Sequence, residues 1–198
     1  MAELASAVKA IEADGVIVYP TDTVYGLGAN AFSPTAIDRV FSLKGRDRSE
    51  PLSVAIPSID EIDRVAKPSP LARRLIAAFL PGPVTVICQR HPAVPDRITA
   101  GGDRVGIRIP DHAVARSLLS QTPPLTATSA NVSGGSDVGD LDALSPAIRS
   151  GVDAIVDGGT TGGQPSTVVD PDRGIIQRRG QFADAIEAWL ADHSSDSC

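Results

Sequence analysis

Three cations stand at every second position, Lys44, Arg46 and Arg48, shortly before an apolar run over 52–56. In an extended segment side chains repeat with period two, so all three would point to one face. Cations sharing a face repel one another unless an anion sits among them. Upstream, V-Y-P-T-D-T-V-Y-G-L-G at 18–28 carries an apolar run into the hydroxyls of Thr21, Thr23 and Tyr25. Cations beside hydroxyl donors suit a nucleotide triphosphate, because charge builds on phosphoryl oxygens during transfer. Alone, the three cations read more simply as a solvated helix end offsetting the negative terminus of the helix dipole. The hydroxyl loop and the immediate return to an apolar strand favour a polyphosphate or carboxylate site.

Arg108 lies within V-G-I-R-I-P, an otherwise apolar strand, where an unpaired guanidinium is very costly. Either a structural ion pair or a ligand satisfies it, and its planar fork suits a bidentate grip on a carboxylate such as an amino acid's. The loop S-A-N-V-S-G-G at 129–135 has small side chains throughout, so a ligand can approach its backbone while Ser129 and Asn131 supply donors and acceptors. The same residue types also describe a plain polar turn. With Ser6-x-x-Lys9 the S-x-N pattern resembles penicillin-binding enzymes, but Ser6 falls on an expected surface helix and no K-T-G element exists. No Walker A lysine motif or G-x-G-x-x-G fingerprint occurs, and G-G-T-T-G-G at 158–163 reads as a mobile lid or spacer. His91, His112 and His193 are isolated and show no metal-ligand spacing. Positioning and electrostatics are left as the means of catalysis.

The elements that must hold these residues interleave. Leu4, Val8 and Ile11 mark a helix over 3–13 stopped at Gly15, and Val16–Tyr19 a strand. Ser33-Pro34 opens a helix with Ile37, Val40 and Phe41 buried, closed by Gly45. Ser58 and Glu61 have capping-box spacing, and Ser69-Pro70 opens a helix carrying Leu71, Leu75, Ile76 and Phe79. Strands are expected at 52–56, 84–88, 105–109, 125–128 and 154–156, with a strand pair at 166–169 and 175–178. Helices are expected at 113–119, 144–150 and 182–190. Several strands follow one another without a helix between them, which favours a mixed α/β sheet over a strictly doubly wound one.

At 198 residues the chain fits one domain, expected over 1–191 with a flexible tail at 192–198. Aromatics make up only 4%, so Val, Ile, Leu and Ala must build the core. The net charge of -6 argues against broad attraction to nucleic acid, so converging cations carry more information here than in a basic protein. Cys88 and Cys198 form no disulfide framework, and no apolar run approaches the roughly 20 residues a membrane span needs. The basic start of a signal peptide is missing, and a cytoplasmic protein is expected.

Taken in order, Y-P-T-D-T-V-Y-G-L-G, K-G-R with P-L, L-P-G-P-V-T, V-G-I-R-I-P, T-S-A-N-V-S-G, D-G-G with S-T-V-V-D, and R-R-G resemble the YrdC family of threonylcarbamoyl-AMP synthases. They span roughly residues 10–180. The resemblance implies a twisted open mixed sheet, parallel and antiparallel, with flanking helices around a large cavity. It implies that L-threonine, bicarbonate or CO2, and ATP yield threonylcarbamoyl-adenylate and pyrophosphate. A separate transferase machinery uses that product to modify adenosine 37 of tRNA, which meets the synthase indirectly or weakly. Carried over by position, Thr23, Arg108, Ser129 and Ser166 bind threonine, and Lys44, Arg46, Asn131 and Arg178 bind the nucleotide. Lys44 and Arg46 are the catalytic pair, neutralising charge at the α-phosphate. Magnesium arrives with ATP, held by phosphates and water. The chain resembles the short form, without the extra C-terminal domain.

Asp47, Glu50, Ala55, Arg104 and the G-S-D-V-G-D stretch at 135–140 depart from the family pattern. Asp47 and Glu50 weaken the positive field near the phosphates, and Arg48 is a candidate compensation. Two alternatives remain at this point: an RNA-binding module on the same fold, and a synthase of another carbamoyl-adenylate, as in hydrogenase-maturation proteins with a YrdC-like domain. The acidic charge and the lack of aromatics near the cations tell against the first.

Overall fold

The structure, a computed structural model, describes residues 2–193. Helix α1 (Ala2–Glu12) buries Ala7 and Ile11, and the chain turns at Asp14, whose φ of 57° is left-handed, into strand β1 (Ile17–Tyr19). A short strand β2 (Gly26–Gly28), unexpected from its glycine-rich sequence, returns antiparallel to β1. Helix α2 (Pro34–Lys44) starts at Ser33, whose hydroxyl accepts the Ala36 N–H at 3.3 Å, and Pro34 needs no such partner. It stops at Gly45, with φ 58° and ψ 32°, a left-handed conformation that glycine adopts without steric cost.

Strand β3 (Ser53–Ala55) is followed by a 3-10 turn over Ile59–Arg64. The capping box expected at Ser58 does not form. Its hydroxyl donates to Asp60 at 3.3 Å instead, and the 3-10 turn replaces an α-helix. Then come β4 (Ala66–Lys67), α3 (Pro70–Phe79) capped by Ser69, β5 (Val84–Arg90), a single-turn α4 (Asp96–Thr99) and β6 (Arg104–Arg108). Next are α5 (Ala113–Leu119), β7 (Leu125–Ser129), α6 (Pro146–Gly151), β8 (Ala154–Ile155), the pair β9 (Thr167–Asp170) and β10 (Ile175–Arg178), and α7 (Ala183–His193). Helix α7 extends two residues into the stretch expected as a tail; 194–198, with Cys198, lie outside the described residues.

The strands form one mixed sheet in the order β10-β9-β5-β6-β3-β7-β2-β1-β8, with β4 beside β5. Pairs β1–β8, β3–β6 and β5–β9 are parallel and the others antiparallel, the architecture the sequence implies. The sheet's two faces are covered unequally, and that inequality makes the site. One face presents Val18, Val54, Val86, Val105, Ile107 and Val169 to a large core that also takes the buried stripes of α2, α3, α6 and α7. Each such fully buried side chain contributes about 1.5–3 kcal/mol. On the other face a smaller core, built from α1 and α5, covers only Ile17, Ala55 and Leu125 with their neighbours. The remainder of that face is left open as the floor of a cavity of about 470 Å³. Among the described residues, no helix is long and apolar enough to cross a membrane.

Candidate active site

Strand β6 shows how the sheet aims its residues. Val105 and Ile107 enter the large core, and period two therefore turns Arg104, Gly106 and Arg108 to the cavity. Gly106 is required by close approach: a Cβ there would lie 2.5 Å from Ser53 Oγ and 2.9 Å from Thr85 Cγ2, filling the floor. Arg108 is buried and donates through Nη2 to Asp22 Oδ1 at 2.6 Å and to Thr23 Oγ1 at 3.3 Å. Thr21 donates to the Val24 carbonyl at 2.6 Å, so the 2.9 Å contact between Thr21 and Thr23 takes its proton from Thr23. Arg108 has the structural ion pair, and it also lines the cavity.

A second cation joins the wall close to Thr85, the residue paired with Arg108. Arg178 on β10 donates through Nε to the Ser166 carbonyl and through Nη2 to Ser166 Oγ, each at 2.9 Å. Ser166 Oγ lies 2.9 Å from Thr85 Oγ1, which links β10, β9 and β5 across the floor. Burial lowers Arg178 from the ordinary arginine value. Tyr19, also in the wall, has its phenol pushed up to about 12 by burial, so it stays neutral and does not serve as a base near pH 7.

The cation stripe does not form. Lys44 ends α2 and Gly45 is left-handed, so the segment is not extended and the three side chains diverge. Lys44 is buried, and its ammonium has three N–H bonds that meet three acceptors: Ser129 O at 2.5 Å, Asn131 O at 2.7 Å and Asn131 Oδ1 at 3.0 Å. Burial first, then the Arg46 charge, pushes it down to about 8, which still leaves it largely protonated at pH 7. Arg46 alone of the three reaches the cavity, steadied by Pro51 O at 3.1 Å and by Glu50 at 3.4 Å. Arg48 pairs with Asp38 at 2.5 Å over the Phe41 ring, outside the cavity wall, and compensates for nothing there.

Thr23, Arg46, Arg108, Ser129, Ser166 and Arg178 thus share one cavity wall. Lys44 and Asn131 stand behind it. Asn131 Oδ1 also accepts from Ser129 Oγ at 2.6 Å, and its Nδ2 donates to Gly135 O at 2.6 Å, so this side chain is spent on its own loop. Of the departures, Glu50 and Arg104 line the cavity; Asp47 instead caps Ser49 in an exposed turn, and Ala55 lies in the smaller core.

Sequence reasoning missed several residues of the site. Asp22 is hidden inside T-D-T because its partner is 86 positions away. Asp170 and Arg173 also line the cavity beside Arg104, which the sequence marked only as a departure, with Asp170 fully buried against Arg104 and 3.7 Å from Arg173. Period two along R-V-G-I-R was the available signal that Arg104 and Arg108 share a face.

The site's motifs coincide with the extent of a known family. The Sua5/YciO/YrdC family model, which carries the description telomere recombination, matches residues 9–180. A putative threonylcarbamoyl-AMP synthase of Methanocaldococcus jannaschii is 36% identical over 83% of this chain and 79% of its own length. The threonylcarbamoyl-AMP synthase of Bacillus subtilis is 37% identical over 84% of this chain, which spans 49% of that relative. The crystal structure of Pyrococcus abyssi Sua5 complexed with L-threonine superposes with a TM-score of 0.81 and 36% identity, over 84% of this chain and 50% of that one. A match over nearly the whole chain, with the same mixed sheet, leaves one assignment: the chain belongs to the Sua5/YciO/YrdC family.

Proposed function

We propose that this chain is a threonylcarbamoyl-AMP synthase, a nucleotidyltransferase joining L-threonine, bicarbonate-derived CO2 and ATP. The observation that carries the reading is Arg108, in the cavity wall with its Nη1 neither bonded to protein nor fully buried and a hydroxyl, Thr23, beside it. That is a carboxylate-and-hydroxyl site, and the names of the relatives and the threonine complex of the Pyrococcus protein support threonine as its occupant. The relatives' names favour this product over an RNA-binding module or another carbamoyl-adenylate.

Bicarbonate yields CO2 and hydroxide; the threonine amine adds to the CO2 and its proton passes to the hydroxide, leaving a carbamate and water. One carbamate oxygen attacks the α-phosphorus of ATP, the bond to the bridging oxygen breaks, and pyrophosphate leaves. Arg46 and Arg178, both in the wall, offset the charge that grows on the phosphoryl oxygens. Lys44 contributes by fixing the Ser129–Asn131 loop rather than by touching phosphate. Among the described residues no group of three or more His, Cys, Asp or Glu could hold a metal ion. Magnesium would therefore come with ATP, held by phosphates and water, screening the same charge. The product would pass to a separate transferase acting on tRNA, in a soluble cytoplasmic setting.

The test is pyrophosphate release from ATP and bicarbonate against a panel of amino acids. Release that depends on threonine is expected, and release indifferent to the amino acid would overturn the assignment. Arg108→Ala should raise the threonine KM about 30- to 150-fold, the loss of a charge-assisted contact of roughly 2–3 kcal/mol, while leaving the ATP KM within a few-fold. Equal effects on both substrates would mean that Arg108 does not mark the threonine end.

A further inference from the structure

Arg108 owes its orientation to one carboxylate that does not itself face the cavity. A guanidinium is planar and its five N–H donors are fixed relative to one another, so holding one nitrogen largely sets where the others point. Nη2 is held by Asp22 and Thr23, and Nε is buried away from the cavity without a partner, which leaves Nη1 as the nitrogen neither bonded to protein nor fully buried. Asp22 does not line the cavity, and its side chain is 14% exposed.

Asp22 is in turn fixed from several sides. Its Oδ1 accepts the Asp111 N–H at 3.2 Å, just beyond the β6 strand that carries Arg108. Its main chain is pressed by the 158–163 glycine tract: a Cβ on Gly162 would lie 2.7 Å from the Asp22 carbonyl, and the Gly163 N–H reaches the Thr23 carbonyl at 2.7 Å. A carboxylate held this way is a fixed reference. It also keeps the buried guanidinium paired when no ligand is present, where a lone charge would be costly.

We infer that Asp22 is a positioning residue for the amino-acid substrate: it grips Nη2 of Arg108 and so presents Nη1, the nitrogen neither bonded to protein nor fully buried, to the incoming carboxylate. This rests on the functional reading above for the identity of the ligand, and on the geometry alone for the division of Arg108 between two carboxylates.

The experiment measures L-threonine binding by titration calorimetry, alongside pyrophosphate release, for the wild type, Asp22→Asn, Arg108→Ala and the double variant. Asp22→Asn preserves shape and removes charge, and thermal unfolding checks that each variant folds. The expected result is threonine binding weakened about tenfold or more in Asp22→Asn, with the ATP KM changed less than twofold. In the Arg108→Ala background Asp22→Asn should add nothing, because Asp22 acts only through Arg108. Unchanged or tighter threonine binding in Asp22→Asn overturns the inference, the latter by making Asp22 a competitor of the substrate. Additive losses in the double variant overturn it too, by making Asp22 an independent structural prop. If the wild type binds threonine but releases no pyrophosphate, the functional reading fails and the binding comparison still decides the role of Asp22. If the wild type binds no threonine, both fall.

Discussion

Lys44 looks from the sequence like a phosphate ligand and is found spent on protein. Its three donors meet three acceptors from Ser129 and Asn131, so no N–H is left for a nucleotide. In the ammonium form all three acceptors are satisfied. As pH rises through about 8 the proton is lost, and a lone pair then faces an acceptor. One of the three contacts to Ser129 and Asn131 is thereby lost, so the rate of pyrophosphate release should fall over that interval. The fold itself is not destabilised, because burial already disfavours the charge. Lys44→Met removes this anchor at all pH values, so we expect about a 10- to 100-fold loss, corresponding to roughly 1.4–2.8 kcal/mol, with no further fall near pH 8. A pH profile of kcat/KM for both proteins checks this; a Lys44→Met profile that keeps the alkaline limb would assign that limb to another group.

At the scale of elements, what the sequence displays well is what local chemistry decides. Ser33-Pro34 and Ser69-Pro70 open α2 and α3 because a serine cap and a proline in the first turn satisfy the same orphan N–H groups. The cation stripe failed for an equally local reason, the left-handed Gly45 after a helical Lys44. Strand β2 was missed because Gly-Leu-Gly has little strand propensity of its own and exists through its partners β1 and β7. The G-G-T-T-G-G tract, read as a mobile lid or spacer, is tied down by Gly163 N–H to Thr23 O, Thr161 N–H to Gly139 O and the Tyr25 hydroxyl to Gly159 O. These partners are distant in sequence, so composition alone suggested mobility. Gly162→Ala should push on the Asp22 carbonyl, a backbone atom that cannot swing aside. We expect threonine affinity to drop about tenfold, roughly 1.4 kcal/mol, with ATP affinity nearly unchanged. Calorimetry with each ligand reads it; equal losses for both would mean that the tract supports the whole cavity rather than its threonine end.

At the scale of the whole molecule, the site exists because one sheet face is fully covered and the other only in part. Which strands neighbour one another could not be read from the chain: β3, β7 and β2 lie between β6 and β1, and Arg108 meets Asp22 only because the loop after β1 reaches across them. The charge follows the same plan. The chain carries a net charge of -6, yet Arg46, Arg104, Arg108, Arg173 and Arg178 line the cavity against Glu50 and Asp170. The cations are gathered inward, where a small anion reaches them, and the rest of the molecule is more acidic than the total suggests. A macromolecular polyanion meets that outer surface first. Binding of tRNA without ATP should therefore be weaker than about 10 µM at 0.15 M salt, and the few phosphates neutralised should give a shallow dependence of log K on log salt. Fluorescence anisotropy across a salt series measures both quantities. Tight binding with a steep slope would place a basic surface outside the cavity and reopen the RNA-binding alternative; weak, shallow binding alongside micromolar ATP affinity would show that this fold separates the two anions by enclosure rather than by total charge.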